Sequence, residues 1–255
     1  VTSVYALTIG LVIKNARGSR LQLILGLLLA FYGVQTVVGQ IEAIFFLTQL
    51  GENWGAGSVT VMQMPLDFIV SQFIIWGMVA IVGVPVAVYL FGRKQQDDRK
   101  SVQLIPKMKA SQWVSKIAIV ILAYELLYFG FGYFVAWKDP AVQAFYQGTD
   151  PGRFFAQMHY VFSETPTLPA LQAFRALLWV VFLLPVVAVL KHLGWGGALL
   201  TGLFASLPMN IPHIIPNPYM PTDVRMIHFI ETASSTFLFG VLVFWLFAST
   251  YPFKK

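Results

Sequence analysis

Arg225, His228, Glu231, Thr232 and Ser235 fall at i, i+3, i+6, i+7 and i+10 of the chain's last apolar segment. A helix gathers these positions into one polar stripe on an otherwise apolar rod. Within the stripe, His228 and Glu231 set an imidazole beside a carboxylate, a pairing that can pass protons or ligate a metal. With His213 and Glu42 they form a candidate site for a single metal ion, although a His-x-x-Glu pair is a weak motif and lacks the second histidine of a metalloprotease helix. A buried histidine more commonly bridges helices by hydrogen bonds. Glu125, between Tyr124 and Tyr128 near the middle of another apolar segment, must be protonated, paired with a cation, or titrating in function. Arg175 and Arg225 are the cations expected to neutralise Glu125 and Glu231. Gln35 and Glu42, at i and i+7, are expected on one face. The candidate solute or proton site is therefore Gln35, Glu42, Glu125, Arg175, Arg225, His228 and Glu231. The candidate metal ligands are Glu42, His213, His228 and Glu231.

These groups must be positioned by membrane helices. Of 255 residues, 57% are hydrophobic and 11% charged, where a soluble domain carries roughly 25% charged residues. Long apolar runs account for the deficit, and lipid is the expected solvent. There is no cysteine, so disulfides, thiolate nucleophiles and Cys-ligated metals are excluded. Val1 opens inside an apolar stretch without a basic segment and cleavage site, which reads as the inner part of a helix rather than a signal peptide.

Seven spans are expected: Val1–Ile13 (truncated), Leu21–Leu47, Phe68–Phe91, Trp113–Trp137, Leu171–Leu190, Ala198–Ile215 and Val224–Ser249. Seven spans place Lys14, Arg17, Arg20, Arg93, Lys94, Arg99, Lys100, Lys107, Lys109, Lys116, Lys191, Lys254 and Lys255 on one side. That is 13 of the 17 basic residues, so the positive-inside rule predicts a cytoplasmic C-terminus and an external N-terminus. The net charge of +6 then belongs to the inner membrane face and not to nucleic acid. Most intramembrane polar groups lie in the outward half, which predicts an acidic pocket open to the outside.

An internal repeat is visible. Met64-Pro65-Leu66-Asp67 with Gln72-Phe73 matches Met220-Pro221-Thr222-Asp223 with His228-Phe229, and Val12–Asn15 resembles Val189–His192. The fold class is all-α: a polytopic bundle of seven spans in a 3+1+3 parallel pseudo-repeat, with copies over 1–92 and 171–250 and a linker helix over 112–137. Residues 138–169 form an extracytoplasmic loop carrying an amphipathic piece from Phe154 to Phe162. Asp67 and Asp223 are expected as first-turn carboxylates that meet the helix dipole. The 3+1+3 arithmetic resembles sugar-efflux transporters of the SWEET type, whose sequence motifs are absent here.

The leading expectation is transport or binding of a small solute or cation, with Glu125 as proton carrier. The alternatives are a non-catalytic subunit docking other membrane subunits through loop 138–169, and a membrane-embedded metal-dependent enzyme. No phosphate-binding glycine loop, serine nucleophile elbow or Schiff-base lysine in the last span is present. The bilayer is the one firm partner.

Overall fold

The computed structural model describes residues 2–53, 66–92, 101–145, 150, 152–217 and 220–251, with side chains omitted at 47–53 and 66. The glycine-rich loop around Trp54, Met64 and Pro65 of the repeat motif, the basic run 93–100, and Lys254 and Lys255 lie outside the described residues. Ten α-helices are described: α1 Thr2–Asn15, α2 Arg20–Tyr32, α3 Val38–Asn53, α4 Leu66–Phe91, α5 Ala110–Phe131, α6 Pro140–Phe145, α7 Phe154–Glu164, α8 Thr167–Leu190, α9 Trp195–Asn210 and α10 Thr222–Ala248. Two π-helical segments, Gly33–Val37 and Gly132–Trp137, extend α2 into α3 and α5 toward its loop. Short 3-10 turns, Lys191–Leu193 and Ile211–Ile214, bracket α9.

Local chemistry explains the boundaries. Ser19 and Gln22 form a reciprocal capping box that starts α2. Asp67 and Asp223 lie exposed in the first turns of α4 and α10, where a carboxylate meets free N–H groups and the positive dipole end. Gly194 adopts φ +56°, a conformation that lets the chain reverse before α9 at little cost. Pro212 then ends regular α-helix after Asn210.

Five helical stretches are long and apolar enough to cross a bilayer: Arg20–Phe46, Asp67–Phe91, Ala110–Trp137, Thr167–Leu193 and Thr222–Ala248. They make the chain an integral membrane protein whose regular elements, among the described residues, are all helical. The expected seven spans are met by five on length, because α1 has 14 residues and α9 has 16, short of the ~20 that a 30 Å hydrocarbon core needs.

Among the five, α8 is the most enclosed and α4 the least. α8 packs against α2, α5, α9 and α10, while α1 packs against α4 and α9. The closest seam joins α9 to α10. A Cβ on Gly240 would stand 2.8 Å from Ala205 Cβ and 2.9 Å from Gly202 Cα. Small residues there let two backbones approach and gain dispersion contact, the main source of helix association in lipid.

One end of the bundle gathers many helix termini. Arg17 N–H donates to Val189 O at 2.9 Å. Gln22 exchanges bonds of 2.7 and 2.9 Å with the Val102 backbone, and Tyr251 Oη donates to Leu104 O at 3.0 Å. The Arg20 guanidinium lies over Tyr89 and the Lys191 ammonium over Tyr251. The polar side chains of α3, α8 and α10 cluster far from these contacts.

Candidate functional site

The cluster is built on α8, whose Gln172 and Arg175 share a face at i and i+3. Arg175 is almost fully buried, and its Nη1 pairs with Glu42 Oε1 at 2.6 Å. The same Nη1 donates to Gln172 Oε1 at 2.7 Å, and Nε donates to Val38 O at 3.1 Å. Gln172 Nε2 completes the triangle, donating to Glu42 Oε1 at 3.3 Å. A buried guanidinium is tolerable in an apolar bundle with its charge balanced and its donors occupied; Glu42 balances the charge, and Nε and Nη1 have acceptors. Its planar group also lies 5.9 Å above the Tyr124 ring.

Beside the pair is a cavity of about 30 Å³ lined by Glu42, Tyr124, Leu127, Tyr128, Arg175, Met209, Thr232, Ser235 and Thr236. Its walls come from α3, α5, α8, α9 and α10. It has room for about two waters, at ~10–15 Å³ each. Tyr128 lines the same cavity as Glu42. On the α10 wall the hydroxyls donate away from the cavity: Ser235 to Thr232 O at 3.2 Å and Thr236 to Thr232 O at 2.6 Å. Thr232 donates to Asn210 Oδ1, and Asn210 Nδ2 reaches Ser206 O and Thr236 Oγ1. The α10 hydroxyls therefore present oxygen lone pairs to whatever occupies the space.

The remaining expected residues separate into distinct groups. His228 Nδ1 sits 2.8 Å from Glu231 Oε2, as the i, i+3 spacing implied. Glu231 is buried next to the second π-helical segment, where a Cβ on Gly132 would lie 3.5 Å from its Oε1. His213 turns its Nδ1 to Asn210 O at 3.1 Å. Among the described residues no three His, Asp or Glu side chains come together as a metal-holding group. The four candidate ligands divide among the Arg175 pair, the His228–Glu231 pair and the turn after α9.

The arginines find other partners than those expected. Arg175 neutralises Glu42. Arg225 donates to the carbonyls of His213 at 2.8 Å, Ile215 at 2.6 Å and Met220 at 3.1 Å, and to Thr222 Oγ1 at 2.9 Å. It staples the turn between α9 and α10. Glu125 is half-buried and, among the described residues, makes no hydrogen bond or ion pair. It sits on the face of α5 next to the one that lines the cavity.

Gln35 does not share the cavity with Glu42. It is buried with Thr36, whose hydroxyl donates to it, and faces the Tyr5 side of α1. The π-helical segment Gly33–Val37 explains this difference: its wider turn shifts the helical phase between the two residues. Sequence reasoning missed Tyr124 and Tyr128 as cavity walls. Their i, i+4 spacing on α5 was the available signal.

No protein-family model, curated protein or solved structure matches this chain.

Proposed function

We propose that the chain is a membrane carrier or binding protein for a small polar solute or cation, working through the cavity beside Glu42 and Arg175. The observation that carries the reading is this small, mainly apolar cavity with a buried ion pair and three α10 hydroxyl side chains on its wall. Ionised groups at such depth are costly and mark a site by default.

In this reading α1 and α9 also cross, giving seven passages, and the two triplets α1–α4 and α8–α10 are parallel copies joined by α5. Three observations support it. α4 and α10 each begin at the residue between Pro and Asp of the repeated motif. α1 packs on α9 while α2 packs on α8, the two contacts that a two-fold exchange of the copies would interchange. The ends of α1, α8 and α10 and the starts of α2 and α5 meet at the end rich in Lys and Arg, as alternate crossings require. That end is cytoplasmic by the positive-inside rule. Carriers built from repeats rock one copy against the other around a central site. Glu42 and Arg175 come from opposite copies and would meet and part in that motion. The described cavity is then a closed state, with Glu42 its working acid.

The test is flux into proteoliposomes of the purified chain, with potassium, sodium and proton entry read by internal dyes and glycerol entry by light scattering. Flux of at least one probe above protein-free vesicles, lost in folded Glu42→Gln, is the expected result. No flux of any probe by the wild-type chain refutes the reading.

A further inference from the structure

The loop between α5 and α8 carries a surface that the cavity does not use. α7 is amphipathic: Met158 and Val161 are buried against Phe129 and Leu168, with Phe45, Phe46 and Leu171 packed around them. Phe155, His159 and Phe162, at i, i+4 and i+7, form a stripe on its outer side, and all three are exposed. Phe155 is 84% exposed and Phe162 46%. Exposed aromatic rings in water are costly, and a stripe of them asks for a partner.

The surface is continuous with the flank of a spanning helix. Phe134, 69% exposed at the end of α5, stacks on Phe154 with ring centres 5.6 Å apart and planes at 8°. Phe162 meets Phe129 edge-on at 5.3 Å. Below them Leu122 and Leu126 are exposed on the same span, at positions that face acyl chains when a span of this length and hydropathy crosses a bilayer. The aromatic stripe thus extends the acyl-facing surface past the end of α5. Arg153 and Glu164, at the two ends of α7, stay exposed, so its termini reach water or headgroups.

We propose that α7 lies in the bilayer interface, with Phe155 and Phe162 set among the lipid headgroups and upper acyl chains and Met158 and Val161 seated on the bundle. Interfacial helices of this kind bury their apolar face about 5–10 Å into that boundary, and aromatic rings are the side chains it favours. This inference rests on the membrane character of the helices alone and is independent of the carrier reading.

The chain has no cysteine, so single cysteines can be placed for nitroxide labelling: Phe155→Cys, Phe162→Cys and, on the opposite side of α7, Glu164→Cys. The full chain is reconstituted into phosphatidylcholine and phosphatidylglycerol vesicles. Collision rates with oxygen and with a water-soluble nickel chelate are then read by power saturation. The expected result is that labels at 155 and 162 collide more with oxygen than with nickel, while the label at 164 shows the reverse. Labels at 155 and 162 as open to nickel as that at 164 would overturn the proposal, leaving the stripe in water. Labels shielded from both reagents would overturn it too, because a protein surface would then cover the stripe. Phe155 makes so little contact with the rest of the chain that its label decides the matter even if the Phe162 variant fails to fold.

Discussion

Separating Glu42 from Arg175 tests the bundle's main polar contact. Arg175 has a side chain 2% exposed, and its described acceptors are Glu42, Gln172 and Val38 O. Glu42→Gln keeps an amide oxygen near Nη1 but leaves the guanidinium with neutral acceptors only. Removing one partner of a buried ion pair costs about 3–5 kcal/mol. Glu42 keeps 24% of its side-chain surface exposed, so water screens part of the charge and the low end, about 3 kcal/mol, is expected. Replacing both charges, as in Glu42→Leu with Arg175→Met, removes the uncompensated charge along with the pair. The double variant is therefore expected to recover much of the loss, with a coupling of about 2 kcal/mol. Unfolding free energies of wild type, Glu42→Leu, Arg175→Met and the double variant, measured by steric trapping in bicelles, close the cycle. Single variants within ~0.5 kcal/mol of wild type, or a double variant equal to the sum of the singles within that margin, would refute the account of a charge-balanced interior.

Glu125→Gln is expected to leave proteoliposome flux unchanged and stability unchanged or raised, because this half-buried acid lines no part of the cavity; a lost pH dependence of flux would instead make it the proton carrier. Arg225→Lys keeps the charge but loses the fork that reaches three carbonyls and Thr222, so hydrogen exchange at 211–217 is expected to accelerate while exchange in α8 does not. In the loop, the Lys138 ammonium bonds Asp150 at 2.7 Å and holds its carboxyl below the usual range, while Asp150 raises the Lys138 ammonium. A lowered acid stabilises above its unfolded pKa, about 3.9, and ceases to do so as pH falls through the folded value; proteolysis of 138–152 should therefore rise only in that acid window, and Asp150→Asn should show the fast rate at neutral pH.

The helices were legible because their signals are local. Runs such as Phe68–Phe91 and Val224–Ser249 fall almost on α4 and α10, and the expected amphipathic piece from Phe154 to Phe162 falls within α7. The His228–Glu231 contact was legible for the same reason, since three residues of α-helix fix it. Partner choice between helices was not. Arg175 could have served Glu125 or Glu231, and only the packing of α8 on α3 selects Glu42. Arg225 illustrates the limit well. Its partners are backbone carbonyls, which have no signature in side-chain sequence. Nor can apolar length show how α9 sits. At 16 residues it is short for a span, and its place depends on glycine contacts with α10.

The π-helical segment Gly33–Val37 supplies the most direct test of why the site forms where it does. An α-helix turns each residue by about 100°, and a π-helical turn holds one residue more than an α-turn. Deleting Val37 should restore regular α-helix by removing that one extra residue, so everything beyond it, Glu42 included, should keep its angle relative to α2. Glu42 would then stay opposite Arg175, whereas the same deletion in uninterrupted α-helix would turn it away by about 100°. α2 itself stays anchored, because its capping box at Ser19 and its packing on α4 lie on the other side of the deletion. Two measurements follow. The deletion should destabilise the chain less than Glu42→Gln, and adding Glu42→Gln to the deletion should still cost about 3 kcal/mol, since the pair is kept. A deletion variant in which Glu42→Gln costs almost nothing would mean that the pair is already broken, and that the π-helical segment does not hold the one extra residue that aims Glu42 at Arg175.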